Sequence, residues 1–236
     1  DNCVISGWTS FAGTIEKVTI ADSTFAEGNY NQLRFYQDVE ITNTVFNKEM
    51  TIDFGTNGVE ATFDGCTVED GSSLLDVIYW PDIAEMGVQV EDNGEQVVVE
   101  AMIGNEAYLT LQEAFAAAQD GDEIEIYAAG TYALATSGKD ITITAKVNGV
   151  VFDNIGAKNM GGADVTFNNV TFDYSPNVNY TGLQHAGHLT YNNCTINGQV
   201  FLYGLSETFN NCTFNQNSKD AYNVWTYSAD KVEFND

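Results

Sequence analysis

The chain has 236 residues, 34 acidic against 8 basic, and a formal net charge of -26 at pH 7. Such a field repels nucleic acid, anionic lipid and polyanionic glycan, so these partners are set aside first, while the length suffices for a real core. Charged residues make up 18% and aromatics 12%, which is not the composition of a disordered chain. No apolar run approaches the ~18 residues of a membrane span, so no membrane insertion is expected in this segment.

Taken in chain order, one pattern recurs: apolar, apolar, small, apolar at offsets 0, 2, 5 and 7. It fits Val18, Ile20, Ser23, Phe25, then Val39, Ile41, Thr44, Phe46, then Ala61, Phe63, Cys66, Val68. Offsets 0 and 2 share one face of a strand, as do 5 and 7, and the odd step between them demands a bend. Asx residues such as Asp22, Asn43 and Asp64 stand at those steps, because Asn and Asp tolerate the left-handed conformation. The run "LLDVIYW" (74 to 80) reads as the last strand of this part.

Pro81 opens a linker or small hairpin expected over about 81 to 105, with Asn93-Gly94 as the hairpin signal. A short helix follows at about 110 to 119. Thr110 and Glu113 form its capping box, Leu111, Ala114, Phe115 and Ala118 form one apolar stripe, and Asp120-Gly121 stops it. Placed before a stack of strands, this helix covers an open edge. The offset pattern then resumes with Val150, Phe152, Ile155, Ala157; Val165, Phe167, Val170, Phe172; Leu189, Tyr191, Cys194, Ile196; and more loosely Glu207, Phe209, Cys212, Phe214. Copies return every 15 to 25 residues, the length of one coil of a solenoid stacked at ~4.8 Å.

A longer repeat crosses the first. "DNCVISG" (1 to 7) returns as "NNCTING" (192 to 198), and "YNQLRFYQDVEITN" (30 to 43) as "YNVWTYSADKVEFND" (222 to 236), roughly 190 residues apart. The chain therefore reads as an excerpt from a tandem array: residues 1–80 end one unit, 81–105 join, and 106–236 begin a homologous one. Asp1 and Asp236 are then expected at open solenoid ends, where edges invite stacking on another copy.

The small slot accepts Cys, Ser, Thr or Val, which marks packing and not metal. Cys194 and Cys212 are expected as reduced neighbours on successive rungs, where parallel Cβ vectors disfavour a bridge. Asn169, Asn193, Asn211 and Asn179 head N-x-Thr sequons; the bend role accounts for the first three without glycan.

The helix followed by "GDEIEIYAAGTY", together with the "NNCTF" rungs, resembles the pectin-lyase-like right-handed parallel β-helix superfamily and its bacterial surface-protein repeats. The resemblance implies an all-β right-handed solenoid, extracellular or on a bacterial cell surface. It leaves activity open, because the superfamily holds lyases, hydrolases, esterases, tailspikes and adhesins. Its uronate-cleaving enzymes use a basic residue beside calcium-holding carboxylates. Here the one arginine, Arg34, and seven lysines stand outside any clustered Asp motif. No calcium nonapeptide or phosphate loop occurs, and "DGDE" (120 to 123) reads as a helix-ending turn rather than a calcium loop; no cofactor is expected, and calcium stays open without a motif to support it. His185 and His188 make an HxxH without a third ligand. Asp153, Asp164 and Asp173 are the candidates for a general acid and base converging from different rungs.

Aromatics are the other lead. Aligning the two long copies places Trp225 and Tyr227 inward with Leu33 and Phe35. It leaves Phe201, Tyr203 and Tyr222 outward in the second part and Tyr30 and Tyr36 outward in the first. Outward rings stack on neutral sugar or on a protein partner. The expected function is a non-catalytic stalk, fibre or adhesin whose partners are carbohydrate, a host or cell-surface protein, or further copies of itself. The alternative is a polysaccharide-active enzyme or phage tailspike module.

Overall fold

A computed structural model describes residues 1–135, 138–153, 158–174, 181–215 and 222–236. Strand accounts for 48% of it and helix for 8%, with parallel strands stacked as a β-solenoid of about ten turns. The chain forms two compact units, Asp1–Val98 and Val99–Asp236. No helix among the described residues is long and apolar enough to cross a membrane.

The first unit has three parallel faces. Val4–Ser6, Thr24–Ala26, Val45–Phe46 and Thr67–Val68 make one, and Thr9–Phe11, Gln32–Phe35 and Thr51–Phe54 the second. Lys17–Ala21, Asp38–Thr42, Glu60–Asp64 and Gln89–Asp92 make the third. Register is strict: Val18 pairs Val39 and Val39 pairs Ala61, while Ile20 pairs Ile41 and Ile41 pairs Phe63. These side chains point inward and are buried.

The segment 74–105 departs from strands in two places. "LLDVIYW" was expected to be a strand, but Leu74–Val77 is a 3-10 turn and α1 (Trp80–Met86) starts within the run. Ser73 closes the turn as a capping box: its hydroxyl accepts the Leu75 amide at 3.2 Å, and its own amide donates to the Asp76 carboxylate at 3.1 Å. A local box outweighs the β-propensity of so short an apolar run. After α1, Gln89–Asp92 rejoins the parallel sheet beside Glu60–Asp64. It turns at Asn93-Gly94, both at positive φ, into antiparallel Glu95–Val97. A second hairpin, Ala101–Ile103 with Glu106–Tyr108, opens the second unit and lies antiparallel on Glu123–Ile126.

In that unit α2 (Leu111–Ala117) is capped as expected. The Thr110 hydroxyl accepts the Glu113 amide, and the Glu113 carboxylate accepts the Thr110 amide at 3.0 Å. Leu111, Ala114 and Phe115 are its buried stripe, so helix and hairpin together protect the first edge of the stack. Ile141–Ala145, Val165–Asn168, His188–Asn192, Ser206–Asn210 and Lys231–Asn235 then continue the sheet in parallel. Buried Phe167, Tyr191 and Phe209 and the exposed Phe234 stack in a column with centroid steps of 5.4, 4.5 and 5.2 Å. Each such ring pair adds about 0.5–1.5 kcal/mol beyond area burial.

The paired asparagines divide two tasks. Asp22, Asn43, Asn169, Asn193 and Asn211 take the bend, with φ between 47° and 61°, and each bend amide donates to the next rung, as Asn193 does to the Asn210 carbonyl at 2.9 Å. The first asparagine of each pair instead builds an amide column. Asn192 donates to Asn168 at 2.8 Å, Asn210 to Asn192 at 2.7 Å and Asn235 to Asn210 at 2.9 Å. Asp64 is a strand end, and Gly65 beside it carries the positive φ. The small slot also gains a purpose. Ser23, Thr44 and Cys194 each donate to the carbonyl two residues back across the bend, so a small side chain with a donor is preferred there. Cys194 is buried, Cys212 half-buried, and all four cysteines are free thiols. Ile155, Ala157 and the Asn179 sequon lie outside the described residues.

Candidate ligand-binding aromatic face

Two adjacent rungs of the second unit carry "VFLYG" and "VWTY". Val200–Leu202 pairs in parallel with Val224–Thr226, so that Val200 meets Val224, Phe201 meets Trp225 and Leu202 meets Thr226. Val200 and Leu202 are buried and Val224 packs against the core. Alternation then sends Phe201, Tyr203, Trp225 and Tyr227 to the outer side. The expectation that Trp225 and Tyr227 face inward is therefore overturned, since they are 42% and 60% exposed. The cause is register. Thr9 pairs Leu33 in the first unit as Val200 pairs Val224 here, so Val224, not Trp225, takes the place of Leu33. A slip of one residue moves every side chain to the opposite face.

The outward rings form one network. Phe201 lies 6.3 Å from both Tyr203 and Trp225, Tyr203 is 5.2 Å from Tyr227, and Tyr222 is 4.5 Å from Trp225. Backbone contacts fix it in place. The amides of Tyr203 and Gly204 both donate to the Glu207 carboxylate, at 2.9 and 3.0 Å. A Cβ at Gly182 would collide with the Phe201 carbonyl and touch the Tyr203 ring at 3.4 Å, so only glycine lets this ring lie close over that rung. Glu207 is itself inward and 2% exposed, at a position the rung pattern reserves for an apolar residue. Burial pushes its carboxyl up to about 7 against the two amide bonds, which favour the charged form. The Tyr191 hydroxyl lies 3.5 Å away, and burial and this carboxylate raise that phenol well above its ordinary value.

The other candidates separate. Tyr222 joins the ring network through Trp225. In the first unit Tyr30 is 75% exposed, whereas Tyr36 lies over Gly55 with the Arg34 guanidinium 5.5 Å from its ring centre. Asp153 and Asp173 are cross-rung partners, and the same line of positions continues into Asn197 and Asn215. Asp164 lies just before Val165–Asn168, a strand of a different sheet. Its carboxylate accepts the His188 amide at 2.6 Å, and its amide donates to Asp140, whose amide donates to Asp120. That chain of carboxylates caps successive strand starts, which is structural work. His188 Nδ1 is 2.7 Å from the Ser206 hydroxyl, while His185 sits in a turn with φ 52°. Among the described residues no three His, Cys, Asp or Glu side chains converge on a metal position.

A polar cluster in the first unit escaped sequence reasoning. Asp53 on Thr51–Phe54 is 5% exposed, accepts from Gln32 at 2.6 Å and has Arg34 at 3.7 Å. Burial raises its carboxyl, with Gln32 and Arg34 opposing. Its alternate, outward position was readable in "TIDF", but its burial was not. Comparison with known proteins places nothing beside this chain: no protein family, no curated protein and no solved structure matches it.

Proposed function

We propose that the chain is part of a non-catalytic, extracellular stalk or adhesin built from tandem right-handed β-helices of the pectin-lyase-like kind, on a bacterial surface. The observation that carries this reading is the repetition of outward positions. Thr142, Thr166, Thr190 and Thr208 follow one another in register, beside Asn168, Asn192, Asn210 and Asn235. The asparagines, bonded amide to amide from rung to rung, stiffen a rod, while an enzyme needs unlike groups converging on one reacting atom. At roughly 190 residues per unit and ~20 per rung, each unit adds about 40 to 50 Å of length, so copying extends reach without new chemistry.

The polysaccharide-active alternative is favoured by one feature, the pairing of Asp153 with Asp173 on neighbouring rungs, since two nearby carboxyls are what glycoside hydrolysis uses. A reducing-end and unsaturated-product assay on neutral and acidic polysaccharides decides between them. The stalk reading expects no turnover. Turnover that disappears in Asp153→Asn or Asp173→Asn replaces it with the enzyme.

A further inference from the structure

We propose that Phe201, Tyr203, Tyr222, Trp225 and Tyr227 form a platform that binds an uncharged polysaccharide chain. The inference rests on the adhesin reading and names the ligand class of its aromatic face. Three of these rings are strongly exposed, Tyr222 at 51%, Trp225 at 42% and Tyr227 at 60%, although Val200, Leu202 and Val224 already fill the interior beneath. The exposed faces of Tyr222, Trp225 and Tyr227 are thus not needed to fill the interior. They touch one another across two rungs at 4.5 to 6.3 Å, making a continuous apolar surface wider than a single sugar.

Rigidity supports the same conclusion. Tyr203 is held by the Glu207 carboxylate through its own amide and that of Gly204, and the strand pairing of Phe201 with Trp225 sets the rung step. A platform fixed before binding loses little entropy when occupied. The exposed rings offer an apolar face for the C–H side of a pyranose, and the phenols of Tyr222 and Tyr227 offer hydrogen bonds for its hydroxyls. Amides extend this edge: Asn159 and Gln184 are register partners on the preceding rungs of this face. The Phe201 amide donates to the Thr181 carbonyl, joining that face to the platform. Charge selects among glycans, because a chain with net charge -26 repels a polyanion.

The test is native electrophoresis of the whole chain through gels containing hydroxyethylcellulose, galactomannan or polygalacturonate, with product release assayed on the same samples. Retardation is expected in at least one neutral gel and not in polygalacturonate. Trp225→Ala and Tyr203→Ala should each weaken it about tenfold or more, Trp225→Phe should retain most of it, and Tyr30→Ala should leave it unchanged. Circular dichroism of each variant confirms that the solenoid persists. Retardation in neither neutral gel, or retardation indifferent to a Trp225→Ala, Tyr227→Ala double variant, overturns the platform. Product release would instead overturn the non-catalytic reading, and loss of binding in the variants would still uphold the platform.

Discussion

One face of the solenoid can be compared in the two units. In the first, Thr9–Phe11, Gln32–Phe35 and Thr51–Phe54 place Leu33, Ile52, Phe35 and Phe54 inward, all fully buried. Their outward positions are Ser10, Arg34 and Asp53, in register with one another. In the second, Val200–Leu202 and Val224–Thr226 again keep aliphatic residues inward, but Phe201 and Trp225 stand outward. Inner positions are constrained by packing at crystal-like density, whereas outer ones carry an ion pair in one unit and an aromatic sheet in the other. Outer side chains can therefore differ between the units without cost to the rung.

The largest effect should come from crossing that divide. Phe35 is fully buried between Phe11 and Phe54, at 5.5 and 6.2 Å. Phe35→Ala is expected to cost about 3–5 kcal/mol in denaturant unfolding. Trp225→Ala, although it removes a larger side chain, is expected to cost less than about 1 kcal/mol because its outer ring leaves no cavity. Equal losses would mean that the aromatic face braces the fold.

Glu207 gives the next largest effect and marks a limit of sequence reading. The rungs were legible because Val18, Val39 and Val165 recur with their partners at fixed offsets, and the bends because Asx residues mark them. Glu207 fits that pattern poorly, and its reason, two amides one turn away, is a contact between turn and strand that no offset encodes. Trp225 was misassigned for a related cause: the two long copies differ in spacing by one residue, and strand parity does not survive that. A carboxyl raised to about 7 from an ordinary value of 4.5 corresponds to roughly 3 kcal/mol. Since the folded value lies above the unfolded one, this contribution is full below pH 4.5 and lost as pH rises through about 7. Glu207→Gln keeps an oxygen for both amides. It should be more stable than the parent at pH 8, and flat between pH 5 and 8 in thermal unfolding.

The ion pair of the first unit should show a smaller effect with the same sign. Arg34 favours the charged form of Asp53, whose carboxyl is nonetheless raised by burial. Removing the cation with Arg34→Ala should cost progressively less as the pH falls, because protonation neutralises Asp53. At pH 8 it should cost about 1–3 kcal/mol, the penalty of a buried charge left without its partner. A pH-independent loss would point to packing of the arginine stem on Tyr36 instead.

The smallest effects concern the bend slot, which holds a hydroxyl or a thiol donor in the first unit and thiols at Cys194 and Cys212 in the second. Ser23 and Thr44 turn their hydroxyls to carbonyls at 2.7 and 2.9 Å, and Cys212 turns its thiol to the Asn210 carbonyl at 3.4 Å. Cys212→Ser should therefore change stability by less than about 1 kcal/mol, since it swaps one donor for another at a half-buried site. Cys194 is 1% exposed, and the neighbouring Cys212 thiol together with burial raises its thiol above the ordinary value. Cys194→Leu adds volume where the rung has none and should cost about 1–3 kcal/mol, more than Cys212→Leu. The two thiols sit on rungs whose neighbours Thr195 and Thr213 are in register, so their Cβ bonds run side by side and a bridge would have to twist both strands. Mass measurement without reductant should find both free, and a loss of two hydrogens would show that the bend yields more easily than its hydrogen bonds suggest.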